Sequence, residues 1–296
     1  MDNIRYQNLQ VRPGTYVPEV PTDFPEDNPY EGLYQPVYDR PFPEVDASYP
    51  YVDDSWSNRL RLWFGYHIVL RLLGLILRLT YGLRWQIEGE SQWHRSSLPV
   101  RRWLKQFDLS GGAITVANHC YRHDCASVLT ALGRSASSHM RIPMFAPNFR
   151  TKDQFYLRIV GGIPIPAPEA GLSAMKAFNA AFDEFHRRNY WIHIFPEAKR
   201  WDWYKPLRPF QKGAFTMAYK YNIPLIPCAV TYRPRTGIYR FFGPKNEPLT
   251  QVIIGAPIYP DTTQPRAAET ERLLNETHQT ICRLAGIEKN SWLSAL

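Results

Sequence analysis

From residue 112 onward the chain alternates short apolar runs with amphipathic stretches, and this alternation constrains the fold more than any other feature. GAITVAN, MRIPMFAP, YWIHIF, PLIPCAV and QVIIGAP read as strands. CASVLTALGR, LSAMKAFNAAFDEFHRR, GAFTMAYKY and RAAETERLLNETHQTICRLAG follow a helical period between them. Strands separated by helices predict an α/β fold with a largely parallel central sheet flanked by helices. At 296 residues the chain buries a sizeable core without needing a metal or disulfide staple. No internal repeat or linker divides the body, so residues 87–296 are expected to form one domain.

Two segments precede that body. Residues 1–56 mix Pro, Tyr and acidic residues with no period of 2 or 3.6, which predicts an extended acidic arm. The formal net charge of +8 is therefore unevenly placed, with a strong basic excess on the rest of the chain. The arm is either a flexible leader or a strap over the basic body, whose partner is expected to be anionic. Residues 57–86 are rich in Leu, Ile, Val and aromatics but carry arginines throughout. Arg71 interrupts the uncharged run before the roughly 20 residues that span a bilayer. A helical phase puts His67, Arg71, Gly74 and Arg78 on one narrow face, the pattern of a helix, or two short ones, lying in a membrane interface. The four cysteines form no dense framework, and the N-terminus lacks the basic start, apolar stretch and cleavage site of a secretory signal, so a reduced cytosolic compartment is expected.

ANHCYRHDC, residues 117–125, crowds two histidines, two cysteines and an aspartate into nine positions. His119, Cys120, His123 and Cys125 lack the separated ligand pairs of a zinc site, and no metal is expected. The alternative is a base, His119, oriented by an acid, Asp124. That spacing is weak alone: eight histidines and 27 acidic residues in 296 give about 0.7 such coincidence by chance. Geometry adds a condition. On one unbroken helix the two side chains would stand about 140° apart, so the strand must end near Asn118, with His119 in a turn and Asp124 at the start of a helix. A second strand end, IHIFPEAKRWDW, presents Glu197, Lys199 and Arg200 at the edge where open α/β sheets bind ligands.

The ordered set NHCYRHD, GGIPI, FPEAKR and IPLIPCAV resembles the four sequence blocks of the glycerolipid acyltransferases, the family of the bacterial 1-acyl-glycerol-3-phosphate acyltransferases. The resemblance covers about residues 85–260 and includes QKGAF at 211–215. It implies a glycerol-3-phosphate acyltransferase-like fold. It also implies His119 as base, Asp124 as its orienting acid, and Asn118, Glu197, Lys199 and Arg200 as acceptor-binding residues. Neither metal nor cofactor is implied; acyl-CoA or acyl carrier protein would be the donor substrate, and no acyl-enzyme forms on Cys120 or Cys125. The acceptor would be a lysophospholipid, foremost 1-acyl-glycerol-3-phosphate, giving phosphatidic acid at the cytoplasmic face of a membrane on a peripheral or monotopic protein.

Two positions depart from the family pattern. Ala198 replaces a glycine, a change that matters only where φ is positive. Pro166 and Ala167 replace the Asp-Arg generally assigned to the acceptor phosphate, leaving Arg150, Arg158 and Lys212, beside Lys199 and Arg200, as candidate phosphate contacts. Alternatives are a different lysolipid or glycolipid acceptor, or a non-catalytic protein that binds anionic lipid. Nucleic acid is not expected as a partner, because the arginines cluster beside apolar helical surface and no nucleic-acid module is present.

Overall fold

The computed structural model describes residue 6 and residues 8–20, 23–33, 37–133 and 140–294. Seven strands form one sheet in the order β2-β8-β7-β3-β6-β4-β5. They are β2 (Arg84–Ile87), β3 (Ile114–Ala117), β4 (Met140–Phe145), β5 (Gly162–Ile165), β6 (Trp191–Ile194), β7 (Leu225–Arg233) and β8 (Leu249–Ile254). From β7 to β5 all neighbours are parallel; β8 runs antiparallel to β7 and parallel to β2. The sheet is thus largely parallel.

The strand side chains alternate between two cores. Ala117 of β3 and Ala113 just before it, with Ile226, Cys228 and Val230 of β7, face a layer built from α1 (Trp56–Thr80), α2 (Leu98–Leu104), α3 (Asp124–Leu132) and α4 (Gln154–Ile159). Ile114 and Val116, with Leu225 and Ala229, face α5 (Gly171–Arg187), α6 (Gly213–Tyr221) and α7 (Arg266–Leu284). Burying both faces explains why these strands read as continuous apolar runs. Each fully buried Ile or Val contributes about 1.5–3 kcal/mol of transfer free energy. In the strand-flanked helix CASVLTALGR, Arg134 lies outside the described residues.

The region before the body differs from the sequence expectation in three ways. The helical segment ends at Thr80, and Arg84–Ile87 pairs with β8, so the expected boundary at residue 86 falls inside a strand of the main sheet. Second, α1 is a single helix of 25 residues, and among the described residues it alone is long and apolar enough to cross a membrane. Arg71 does not shorten it below that length. Third, the helical phase slips at a π-turn over Gly65–Val69, where a wider turn rotates everything downstream. Gly74 and Leu77 consequently face the body; a Cβ on Gly74 would meet Thr130 at 2.8 Å. Arg78 donates to the carbonyl of Arg95, and Arg71 alone of the four stays exposed. The outward face is apolar, including Leu60, Trp63, Leu72, Leu75, Ile76 and Leu79. The Tyr66 hydroxyl donates to the carbonyls of Met140 and Val160, which fastens the other face to the body.

The arm is a strap. Its short strand β1 (Gln10–Val11) pairs with β9 (Ile287–Lys289) near the end of the chain. Phe24 then stacks on Trp201, Phe42 stacks on Phe149, and Asp54 makes a bidentate contact with Arg188.

Candidate active site

β3 and β6 are neighbours, and their C-terminal ends deliver the two stretches singled out by sequence to one place. Asn118 closes the first strand: its Oδ1 accepts from Val230 N at 2.7 Å, and its Nδ2 donates to Val230 O at 3.0 Å. Both ends of the amide are engaged by β7, so Asn118 fixes the strand end. The chain then turns through residues 119–123, and Asp124 opens α3.

Asp124 Oδ2 accepts from the amides of Cys120 at 2.5 Å and Tyr121 at 2.6 Å, and lies 3.3 Å from His119 Nδ1. One carboxylate oxygen thereby shapes the turn and orients the imidazole. The other face of the ring stacks on Phe195 at 4.1 Å. The side chain is 24% exposed, enough for a hydroxyl to reach it. Burial, with Arg200 nearby, pulls His119 down to about 3, so the ring is uncharged at neutral pH. Burial pushes Asp124 up to about 7, against the two amides that favour its charged form. A neutral imidazole with one nitrogen held by a carboxylate and part of the ring open to solvent is arranged to accept a proton.

The remaining residues of ANHCYRHDC do other work. Burial raises Cys120 well above the ordinary thiol range and Cys125 to about 12, so neither is a thiolate nucleophile. His123 packs edge-on against Tyr81 and Tyr121. Among the described residues, no three His, Cys, Asp or Glu side chains gather as a metal site would require.

Glu197 is engaged by the protein's own groups. Its side chain is buried; Oε1 accepts from His119 N at 2.8 Å, and Oε2 accepts from Arg208 N at 3.2 Å and Arg208 Nε at 2.9 Å. Both carboxylate oxygens are occupied by groups of the protein. Arg208, which sequence reasoning missed, is fully buried. It also donates to the carbonyls of Pro29 and Lys199 and lies over the Trp201 ring at 4.4 Å. A lone arginine inside the apolar stretch PLRPF was the available signal, since an arginine there needs a buried partner.

The loop after β6 is folded onto the histidine turn: Trp201 N donates to His119 O at 3.3 Å and Trp203 N to Cys120 O at 2.8 Å. Ala198 has φ of +63°, so the alanine sits in the left-handed region where a glycine rests without strain. Arg200 pairs with Asp202 at 2.8 Å and is the cation whose charge reaches both His119 and Asp124. The Lys199 ammonium lies 4.5 Å over the Phe145 ring. The other candidate phosphate contacts disperse. Lys212 pairs with Glu271 of α7 at 3.0 Å. Arg158 lines a cavity of about 150 Å³ with Arg61 and Arg141, at the N-terminal ends of β4 and β5. Arg150 offers its carbonyl to Arg40 of the arm.

An oriented, uncharged imidazole at the C-terminal edge of a parallel sheet is the equipment of a general-base α/β enzyme. Residues 94–231 match the acyltransferase family model. One solved structure to which the chain is similar is the 1-acyl-sn-glycerophosphate (LPA) acyltransferase PlsC from Thermotoga maritima. The match has 13% sequence identity and a TM-score of 0.43, covering 77% of this chain and 95% of that one. No curated protein matches the chain in sequence.

Proposed function

We propose that the protein moves a fatty acyl group from a thioester, on coenzyme A or acyl carrier protein, to the free hydroxyl of a lysophospholipid. The acceptor to test first is 1-acyl-glycerol-3-phosphate. The single observation that carries this reading is the contact of His119 Nδ1 with Asp124 beside a partly open ring. Nε2 of the neutral imidazole takes the acceptor's hydroxyl proton as its oxygen attacks the thioester carbonyl. Asp124 stabilises the imidazolium that results. When the tetrahedral intermediate collapses, the C–S bond breaks and the departing thiolate takes the proton from Nε2. The proton thus passes from alcohol to thiol, and the imidazole returns to its starting state.

In place of the missing Asp-Arg, Arg200 is the cation best situated to meet an acceptor phosphate. The outward apolar face of α1, with exposed Arg59 and Arg71, supports a peripheral or monotopic placement at the cytoplasmic face of a membrane. The experiment is a grid of acyl thioesters against lysophospholipids and glycolipids, run with wild type and His119→Ala. Transfer to lysophosphatidic acid by wild type alone supports the reading. Transfer only to another headgroup moves the acceptor assignment, and transfer by the folded His119→Ala protein at the wild-type rate overturns the mechanism.

A further inference from the structure

The chain between Arg233 and Glu247 leaves the sheet as a loop whose tip is apolar and unburied. Phe241 is 82% exposed, Ile238 64% and Phe242 55%. Scattered exposed apolar residues are ordinary, but three large ones within five positions of one loop are not. The loop is well held. The Arg235 guanidinium donates to the carbonyls of Thr80, Tyr239 and Phe242, and the Tyr239 hydroxyl donates to Arg78 O. Gly243 approaches so near that a Cβ there would meet Thr80 O at 2.6 Å. Thr80 and Arg78 form the last turn of α1, so the loop is bolted to the end of the helix whose outward face is already apolar.

The base of the loop meets the active-site turn. Glu247 pairs with Arg122 at 3.6 Å, Arg122 donates to the Tyr81 hydroxyl, and His123 packs on the Tyr81 ring at 5.1 Å. Three segments distant in sequence, the end of α1, the loop and the turn carrying His119, therefore share one corner of the molecule. Charge around that corner is basic: Arg233, Arg235, Arg240 and Lys245 face one acid, Glu247, and Arg240 and Lys245 are exposed.

We propose that the tip Ile238–Phe242 is a second membrane-inserting element. Together with the outward face of α1 it seats the protein on an anionic bilayer with the His119 turn at the lipid surface. The proposal rests on the membrane-surface reading above for its occupant. Aromatic and aliphatic side chains enter the headgroup–acyl boundary, while Arg240 and Lys245 meet lipid phosphates. The tethers through Arg235 and Tyr239 keep the loop and helix from moving independently, so the two insert as one surface. A lysolipid acceptor then presents its hydroxyl to His119 while its acyl chain stays in the leaflet.

The test uses the full chain and vesicles of equal parts phosphatidylglycerol and phosphatidylcholine. A Phe241→Cys variant labelled with an environment-sensitive fluorophore should gain emission several-fold on vesicle addition and become shielded from aqueous iodide. The four native thiols are buried or half-buried, which keeps labelling at the tip. Phe241→Asp combined with Phe242→Asp should weaken vesicle partitioning roughly tenfold or more. That double variant should transfer acyl groups to a short-chain, monomerically soluble acceptor within about twofold of wild type, because neither residue touches His119. A label that stays exposed to iodide while the protein binds vesicles through α1 overturns the loop proposal and leaves the membrane reading standing. Wild type that binds no vesicles overturns both. A wild-type dimer by light scattering that Phe241→Asp converts to a monomer assigns the tip to a second copy of the chain and overturns the proposal.

Discussion

Two side-chain pairs meet at His119, and they are made to opposite specifications. The His119–Asp124 pair is a single 3.3 Å contact with a partly open ring, while Glu197 and Arg208 are fully buried, with the carboxylate and guanidinium engaged on all sides. In the proposed mechanism the first changes protonation during the reaction, so slack geometry and access are requirements. The second holds the backbone of His119 from behind through a saturated carboxylate, and any slack there would move the base. The contrast separates a group that reacts from a group that holds it, although both belong to the motifs that sequence alone would have called functional.

Removing the reacting group should give the largest effect. His119→Ala is expected to lower acyl transfer by about 10⁴-fold with little change in unfolding temperature, and coupled measurement of turnover and thermal melting checks both halves. Asp124→Asn should cost about 10³-fold and also change the pH profile. In wild type the working form needs a neutral imidazole and an ionised carboxylate. With Asp124 raised to about 7 and His119 lowered to about 3, the pair takes up a proton as pH falls through about 7, and kcat/KM falls with it. Asparagine removes that ionisation, so the residual activity should stay flat well below pH 6. An unchanged acid limb in Asp124→Asn would assign the limb to another group.

The holding pair should fail differently. Arg208→Met leaves Glu197 buried without its cation, and an unfolding free energy lower by about 3–5 kcal/mol is expected in denaturant titration, with activity lost in parallel. A variant that kept its stability but lost turnover would erase the distinction between the pairs. Phe24→Ala, which removes the arm's stack on Trp201 beside Arg208, should cost about 1–2 kcal/mol and should not raise activity. Higher turnover would make the strap a restraint instead of a brace. The smallest effect is expected from Ala198→Gly, which relieves a positive φ and should stabilise by about 1 kcal/mol or less, measured as a slight rise in melting temperature.

Much of the fold was legible because burial on both faces leaves long apolar runs: the five strands read from sequence are all present, and helices separate all but β7 and β8, which a loop joins as an antiparallel pair. The strands it missed are short. Arg84–Ile87 alternates for only one pleat and follows directly on an apolar helix, and Gly162–Ile165 carries a proline and a glycine. The phase of α1 was illegible for a different reason: a π-turn changes the rotation per residue without a mark in the hydrophobic pattern. Of the site, the His119–Asp124 geometry followed from requiring that the two side chains meet. The inward orientation of Glu197 did not, because its partner Arg208 and the carbonyl of Pro29 come from elements 11 and 168 positions away in the chain. Sequence spacing indicates which residues share a strand end; it does not tell which of them turn their charge inward.

The pairing of β1 with β9 also sets an order in time. A ribosome adds about 5–20 residues each second, so the arm emerges first and waits roughly 15–55 seconds for residues 287–289 to appear. During that interval the carbonyl that caps Arg208 has no settled address, and the base of the future site is left unbraced on one side. The β1–β9 pair, and with it the brace of the arm on the body, therefore forms only after the last turn of α7 has been made.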